Sequence, residues 1–186
     1  MLAAGCGDGG AASSAADGGR LADAGSDEQQ LRACDVPEPC FESTALMVEG
    51  RVAHVLLFDC VIRGLAAGTP GRYLHATDSM WSDGSVGARH TLLLQEDGSA
   101  LYTRAPHESG SPSVEVGEPR AQRCVLRPRS YFEACVAAFE GYVAVPFGTP
   151  PSQEAWTCAF GSGGAETASE LDWFERCEDL SPIACE

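Results

Sequence analysis

The chain has 186 residues and a formal net charge of −15, and its acidic residues are spread along it, which argues against a nucleic-acid partner because phosphate contacts need a concentrated basic surface. All twelve basic residues are arginine; the absence of lysine excludes Schiff-base, lysine-base and P-loop chemistry. No stretch of about 18 apolar residues is present, so the sequence predicts no membrane-spanning helix.

Residues 1–30 are dominated by Gly, Ala, Ser and Asp. Such a stretch has too little apolar surface to fold and reads as a flexible tether, leaving 31–186 as one globular domain with enough chain to bury a core. Cys34-Asp-Val-Pro-Glu-Pro-Cys40 carries two prolines and is an entry loop, its cysteines bonded to the body or to each other.

Val52 to Leu65 is the most apolar run. With glycine at both ends and β-branched residues within, it reads as a buried strand. Gly68-Thr-Pro-Gly71 is a turn and Arg72 to Thr77 a return strand, giving a first hairpin. A second hairpin runs from Arg89 to Gln95, turns at Glu96-Asp97-Gly98-Ser99, and returns through Ala100 to Arg104; Asp-Gly between two β-rich runs is a strong turn signal. Val114 to Val116 and Arg123 to Arg127 add strands, with a loop at His107 to Ser113.

After residue 128 the pattern changes. Ser130-Tyr-Phe-Glu-Ala-Cys135 and Asp172-Trp-Phe-Glu-Arg-Cys177 share one layout 42 residues apart. Ser130 and Asp172 suit N-caps, with glutamate three residues later as in a capping box, so each copy is expected to be a short helix stapled by its cysteine. The fold class is therefore α+β: an antiparallel β-meander with the option of barrel-like closure, and short disulfide-stapled helices in the C-terminal third.

The nine cysteines are Cys6, Cys34, Cys40, Cys60, Cys124, Cys135, Cys158, Cys177 and Cys185. Their spacings do not fit zinc sites, so neither metal nor cofactor is expected. Disulfides are the reading, and the eight within 31–186 suffice for four bridges. Cys6 is left over.

Leu2-Ala3-Ala4-Gly5-Cys6 resembles the lipobox of bacterial lipoproteins, with small residues before the cysteine and Ala3 where that family usually has leucine. The resemblance covers the first thirty residues. It implies a lipid on Cys6, a true start upstream of Met1, a membrane held through that lipid, and a place in the cell envelope as an outer-membrane or surface lipoprotein; without the lipid the protein would be secreted.

Chemistry is sparse. No serine-hydrolase elbow, zinc-protease helix or dinucleotide loop is present, and no residue is assigned a catalytic role. His75 and His90 could lie on neighbouring strands with Asp78 or Asp83 beside them. Trp81, in the polar run Asp78 to Gly84, is the aromatic expected to be exposed. These three, Trp81, His75 and His90, are the candidate ligand contacts. Arg120, Arg123, Arg127 and Arg129 form the basic cluster, with pairing to surplus carboxylates the simpler use.

The expected function is a non-enzymatic binding or interaction module contacting an envelope protein or small ligand. The apolar hairpins also resemble lipocalin-like barrels, which implies a small-molecule carrier with a cavity lined by Phe58, Leu92, Leu94 and Tyr102; a hydrolase built on His75 or His90 with an acidic partner is the third class.

Overall fold

The computed structural model describes residues 31, 34–48, 51–110, 120–140, 142, 151–161 and 171–180. Within them, in chain order, lie β1 (Ser43–Val48), β2 (Arg51–Leu56), α1 (Phe58–Ala67), β3 (Gly71–Trp81), β4 (Gly84–Leu94), β5 (Ser99–Gly110), β6 (Arg120–Leu126), α2 (Arg129–Phe139), α3 (Gln153–Phe160) and β7 (Phe174–Asp179). The strands form one sheet in the order β2-β1-β3-β4-β5-β6-β7. β1 and β3 are parallel and every other pairing is antiparallel. The α+β class holds. The sheet is open, with β2 and β7 at its edges, so the barrel-like option is not realised.

The first predicted hairpin is corrected. Strand β2 ends at Leu56, and the rest of the Val52–Leu65 run is helical. Phe58, Val61, Ile62 and Leu65 repeat at the helical period and all are buried, while Asp59, Cys60 and Arg63 face out. An apolar run with β-branching fits both periods, and tertiary burial chose the helix. Gly68, at φ 66°, ends it, and the N–H of Thr69 returns to the Gly64 carbonyl. The helix lets the chain cross over, so β3 lies parallel to β1 rather than folding back on β2. Strand β1 occupies part of the expected entry segment; Ser43–Val48 alternates buried and half-buried residues, as a strand with one covered face does.

The second hairpin forms as read, between β4 and β5. Gly98 takes φ 83° in its turn, and Asp97 accepts a hydrogen bond from the Ser99 N–H at 2.8 Å. The strands are longer than expected: β3 continues through Asp78 to Trp81, and β5 runs through the predicted loop as far as Gly110. The predicted strand Val114–Val116 lies outside the described residues, as do Cys6, the tether and Cys185.

Two terminal-third expectations also change. Helix α2 forms, but it starts at Arg129 behind Pro128, so Ser130 is not its cap. The second copy of the motif is strand β7 rather than a helix. Cys177 sits opposite Cys124 in the β6–β7 ladder and is bonded to it, and the Trp173 carbonyl accepts from the Arg127 N–H.

Helices and sheet share one principal core. Ala45, Tyr73, Leu92, Leu94 and Tyr102 of the sheet meet Phe58, Phe132, Phe139 and Phe160 of the helices, with Trp173 among them. Phe58, Leu92, Leu94 and Tyr102 are thus packed core residues. On the sheet's other face a smaller cluster joins Leu31, Cys34, Leu93 and Leu101. Disulfides connect Cys40–Cys60, Cys124–Cys177 and Cys135–Cys158, and Cys34 is disulfide-bonded as well. Cytosolic thiols are kept reduced, so these bonds indicate an oxidising, extracytoplasmic compartment.

Candidate functional site

Parallel placement of β1 beside β3 brings Ser43 level with His75, and the β3–β4 register sets His75 opposite His90. The two histidines are indeed neighbours, with ring centroids 6.0 Å apart, but each is 1 % exposed. His75 Nε2 lies 2.7 Å from the Ala159 carbonyl, which can only accept, so this nitrogen carries the proton. Its Nδ1 then accepts from the Ser43 hydroxyl at 2.8 Å. His90 Nδ1 is 2.7 Å from the Tyr102 hydroxyl and its Nε2 is 3.2 Å from Thr77 Oγ1.

Burial pushes His75 down to about 4, partly offset by hydrogen bonding with the Ala159 and Ser43 backbone carbonyls. It holds His90 well below its usual value too, and neighbouring His75 and Arg104 act in the same direction. Both rings are therefore neutral at physiological pH. The Phe58 and Trp173 rings cover His75 at 4.9 and 5.6 Å. A serine–histidine contact in this setting has no path to a substrate; it satisfies polar groups inside a core. Neither histidine is presented as a surface ligand contact.

Trp81 is also elsewhere. It lies at the far end of β3, six residues and roughly 20 Å from His75 at strand rise, half-buried against Val86 and Ala88. The structure does not gather Trp81, His75 and His90 into one site.

Asp78 finds a different histidine. Asp78, Gly87 and His107 occupy one cross-strand row on β3, β4 and β5, and His107 Nε2 meets Asp78 Oδ1 at 2.7 Å. Gly87 makes this possible: a Cβ there would lie 2.6 Å from that carboxylate oxygen and 2.9 Å from the His107 ring. No local motif announces this pair; only the register brings it together. The arginine cluster is dispersed. Arg129 pairs with Glu133 at 2.8 Å, Arg127 lies over the Tyr131 ring at 5.1 Å, and Arg123 is opposite Glu178 in the ladder.

Among the described residues a concavity lies between α2 and α3, a groove of about 530 Å³. Tyr131, Ala134, Cys135 and Ala138 recur at i, i+3, i+4 and i+7 and form the α2 wall; Glu154, Thr157 and Cys158 form the α3 wall. The Cys135–Cys158 disulfide locks the two walls together. Ser152 fixes the start of α3, its hydroxyl accepting from the Ala155 N–H at 3.2 Å. Small side chains keep the groove open, and its lining is mainly apolar.

Its polar side chains are Ser152, Gln153, Glu154 and Thr157 at the α3 wall and Tyr131 at the α2 wall. The Tyr131 hydroxyl is shielded from solvent and has no hydrogen-bond partner, although its ring packs edge-on to Phe132. Burial raises the Tyr131 phenol above its usual value, with the Asp172 carboxylate adding to the effect. It is therefore a neutral donor. A smaller cleft between α1 and α2, about 320 Å³, contains Arg63 and Arg129, each bonded to a carboxylate of its own helix.

Among the described residues no group of three His, Cys, Asp or Glu side chains could hold a metal ion. No helix among them is long and apolar enough to cross a membrane. Comparison with known proteins finds no matching family, no similar curated protein and no similar solved structure.

Proposed function

We propose that the chain is a non-enzymatic binding module of the cell envelope, held to a membrane by a lipid on Cys6, that takes a small apolar ligand with one hydrogen-bond acceptor into the α2–α3 groove. The observation that carries the ligand reading is the Tyr131 hydroxyl: shielded, unbonded, and borne by a residue on the wall of a mainly apolar groove. A buried donor without a partner costs about 1–3 kcal/mol. A ligand carbonyl or ether oxygen would recover that energy once a shift of the Tyr131 side chain brought its hydroxyl to the groove, while the ligand's apolar body covered Ala134 and Ala138. The volume lies in the range of small-molecule sites, roughly 300–1,000 Å³.

The address rests on the Leu2–Cys6 sequence, the Gly/Ala/Ser/Asp stretch after it, and the disulfides. The non-enzymatic reading is supported by the burial of the Ser43–His75 contact. The carrier expected from a barrel thus moves from the sheet, whose interior is packed, to the space between two helices.

Calorimetric titration with 2-decanone, an apolar chain with one carbonyl, tests the groove. Saturable binding is expected, weakened about tenfold by Tyr131→Phe, the equivalent of one hydrogen bond, and abolished by Ala134→Trp. Binding unaffected by Ala134→Trp would place the ligand elsewhere. The anchor is tested separately by the intact mass of the protein from its native membrane fraction, where Cys6 should carry acyl chains.

A further inference from the structure

Three large apolar side chains stand out of the surface at one corner of the sheet: Phe41 is 84 %, Leu56 41 % and Leu57 58 % exposed. They come from the two segments that flank the β1–β2 hairpin. Leu56 is paired with Thr44, Phe41 immediately follows Cys40, and Leu57 stands three residues before Cys60; the Cys40–Cys60 disulfide ties the segments together. The corner is also strained. Leu57 has φ 57°, the left-handed region that a leucine rarely adopts and a glycine or asparagine would tolerate better. An exposed leucine held in that conformation is unfavourable for backbone and solvent alike, which points to a use for the side chain.

Two ion pairs flank the corner. Arg63 pairs with Asp59 at 2.8 Å and Arg89 faces Glu42 at 3.9 Å. A second copy of the chain would bring another fifteen negative charges against the corner, and an anionic lipid surface would be repelled by the same excess.

The position of the corner favours a membrane. The described chain opens at Leu31, and Arg72 at the start of β3 donates to the carbonyls of Leu31 and Cys34, while its backbone N–H donates to the Pro37 carbonyl. Leu31 and the segment from Cys34 to Phe41 are thus held about one end of the sheet, and in sequence twenty-four residues separate Leu31 from Cys6.

From these observations we infer that the Phe41–Leu56–Leu57 corner seats on a zwitterionic lipid surface, the tether supplying proximity and the three side chains the contact. The inference rests on the anchored reading for its biological setting, but the contact itself is a property of the folded domain. A single weak attachment gains much from a second one on the same chain.

The test uses the full chain carrying Cys6→Ser, so that no lipid contributes, in co-sedimentation with phosphatidylcholine vesicles. A measurable bound fraction is expected, and Phe41→Ser with Leu57→Gly should lower the partition coefficient at least tenfold. Leu57→Gly suits the left-handed backbone, so folding is preserved and circular dichroism checks it. Absence of vesicle binding in the Cys6→Ser chain, or binding indifferent to the two substitutions, would overturn the proposal. So would a dimer in size-exclusion chromatography that the substitutions dissolve, since the corner would then be a contact between copies. An unmodified Cys6 in the native protein would overturn the anchor alone and leave the vesicle result standing.

Discussion

The two copies of the aromatic–Glu–x–Cys pattern are nearly the same sequence in different conformations. Ser130–Cys135 lies in helix α2, and Asp172–Cys177 enters strand β7. The residues C-terminal to each copy decide between the two. In α2, Phe132, Cys135 and Phe139 make a buried stripe through two helical turns. The residue that would extend such a stripe in the second copy, 42 positions after Phe139, is Ser181, and Glu178 and Asp179 precede it. Without that apolar continuation a helix gains little from burial, whereas the β6 edge offers a ladder and Cys124 a bond. Both copies still place an aromatic in the core and a cysteine in a disulfide. The pattern encodes anchoring, and the surroundings choose the backbone.

The same motif slot also separates structure from candidate function. Trp173 and Tyr131 occupy equivalent positions. Trp173 is fully buried and donates from Nε1 to the Cys158 carbonyl at 2.9 Å; the Tyr131 hydroxyl donates to nothing. Trp173→Ala should therefore cost about 4 kcal/mol in chemical denaturation, the usual scale for deleting a buried aromatic. Tyr131→Phe should leave stability unchanged or slightly higher while weakening ligand binding. A destabilised Tyr131→Phe would mean the hydroxyl is satisfied and would remove the contrast.

The cysteines of the two copies rank next. Cys124–Cys177 spans 53 residues and Cys135–Cys158 spans 23. Loop-closure entropy then predicts losses of about 4 and about 3 kcal/mol for the corresponding double alanine variants. Equal or reversed losses would show that native-state packing outweighs the entropy of the unfolded chain.

Acid sharpens the comparison from the core side. His75 is neutral when folded, lowered from 6.5 to about 4, so the unfolded chain takes up its proton first as pH falls. Stability is then full above about 6.5 and declines toward about 4, by roughly 3 kcal/mol for this residue. His75→Gln, which keeps polar groups for Ser43 and Ala159, should flatten the decline in denaturation midpoints measured between those pH values. A slope that survives the substitution would assign the effect to His90. The smallest contrast is between caps: Ser152→Ala should cost about 1 kcal/mol, and Ser130→Ala, which caps nothing, close to zero.

Much of the architecture is legible where the signal is local. The Asp97-Gly98 turn specifies one hairpin, and the cysteine count leads to the oxidised framework. The Val52–Leu65 run misleads because β-branched apolar residues satisfy two periods and only packing separates them. The candidate site is less accessible still. His75 and His90 are neighbours as expected, but a sequence does not state on which face of a sheet a core will form. The α2–α3 groove depends on a helix, Gln153–Phe160, whose eight residues give too short a pattern to stand out, and on a disulfide whose pairing no spacing specifies. Asp78 meets neither of the histidines expected beside it, since its contact with His107 exists only because Gly87 leaves space between two strands.

The connectivity of the disulfides bears on how the chain reaches this structure. A polypeptide threaded into an oxidising compartment from its N-terminus, and oxidised strictly as thiols emerge from Cys34 onward, would join Cys34 to Cys40, Cys60 to Cys124, and Cys135 to Cys158. Of these only the last is present. Cys124 must pass over two nearer thiols to find Cys177, and the bridge it makes encloses the Cys135–Cys158 bond. Biogenesis therefore requires either delayed oxidation until β6 and β7 have met or exchange of early, incorrect bonds through mixed disulfides. Yield in a host should then track its capacity for disulfide isomerisation more closely than its capacity for oxidation.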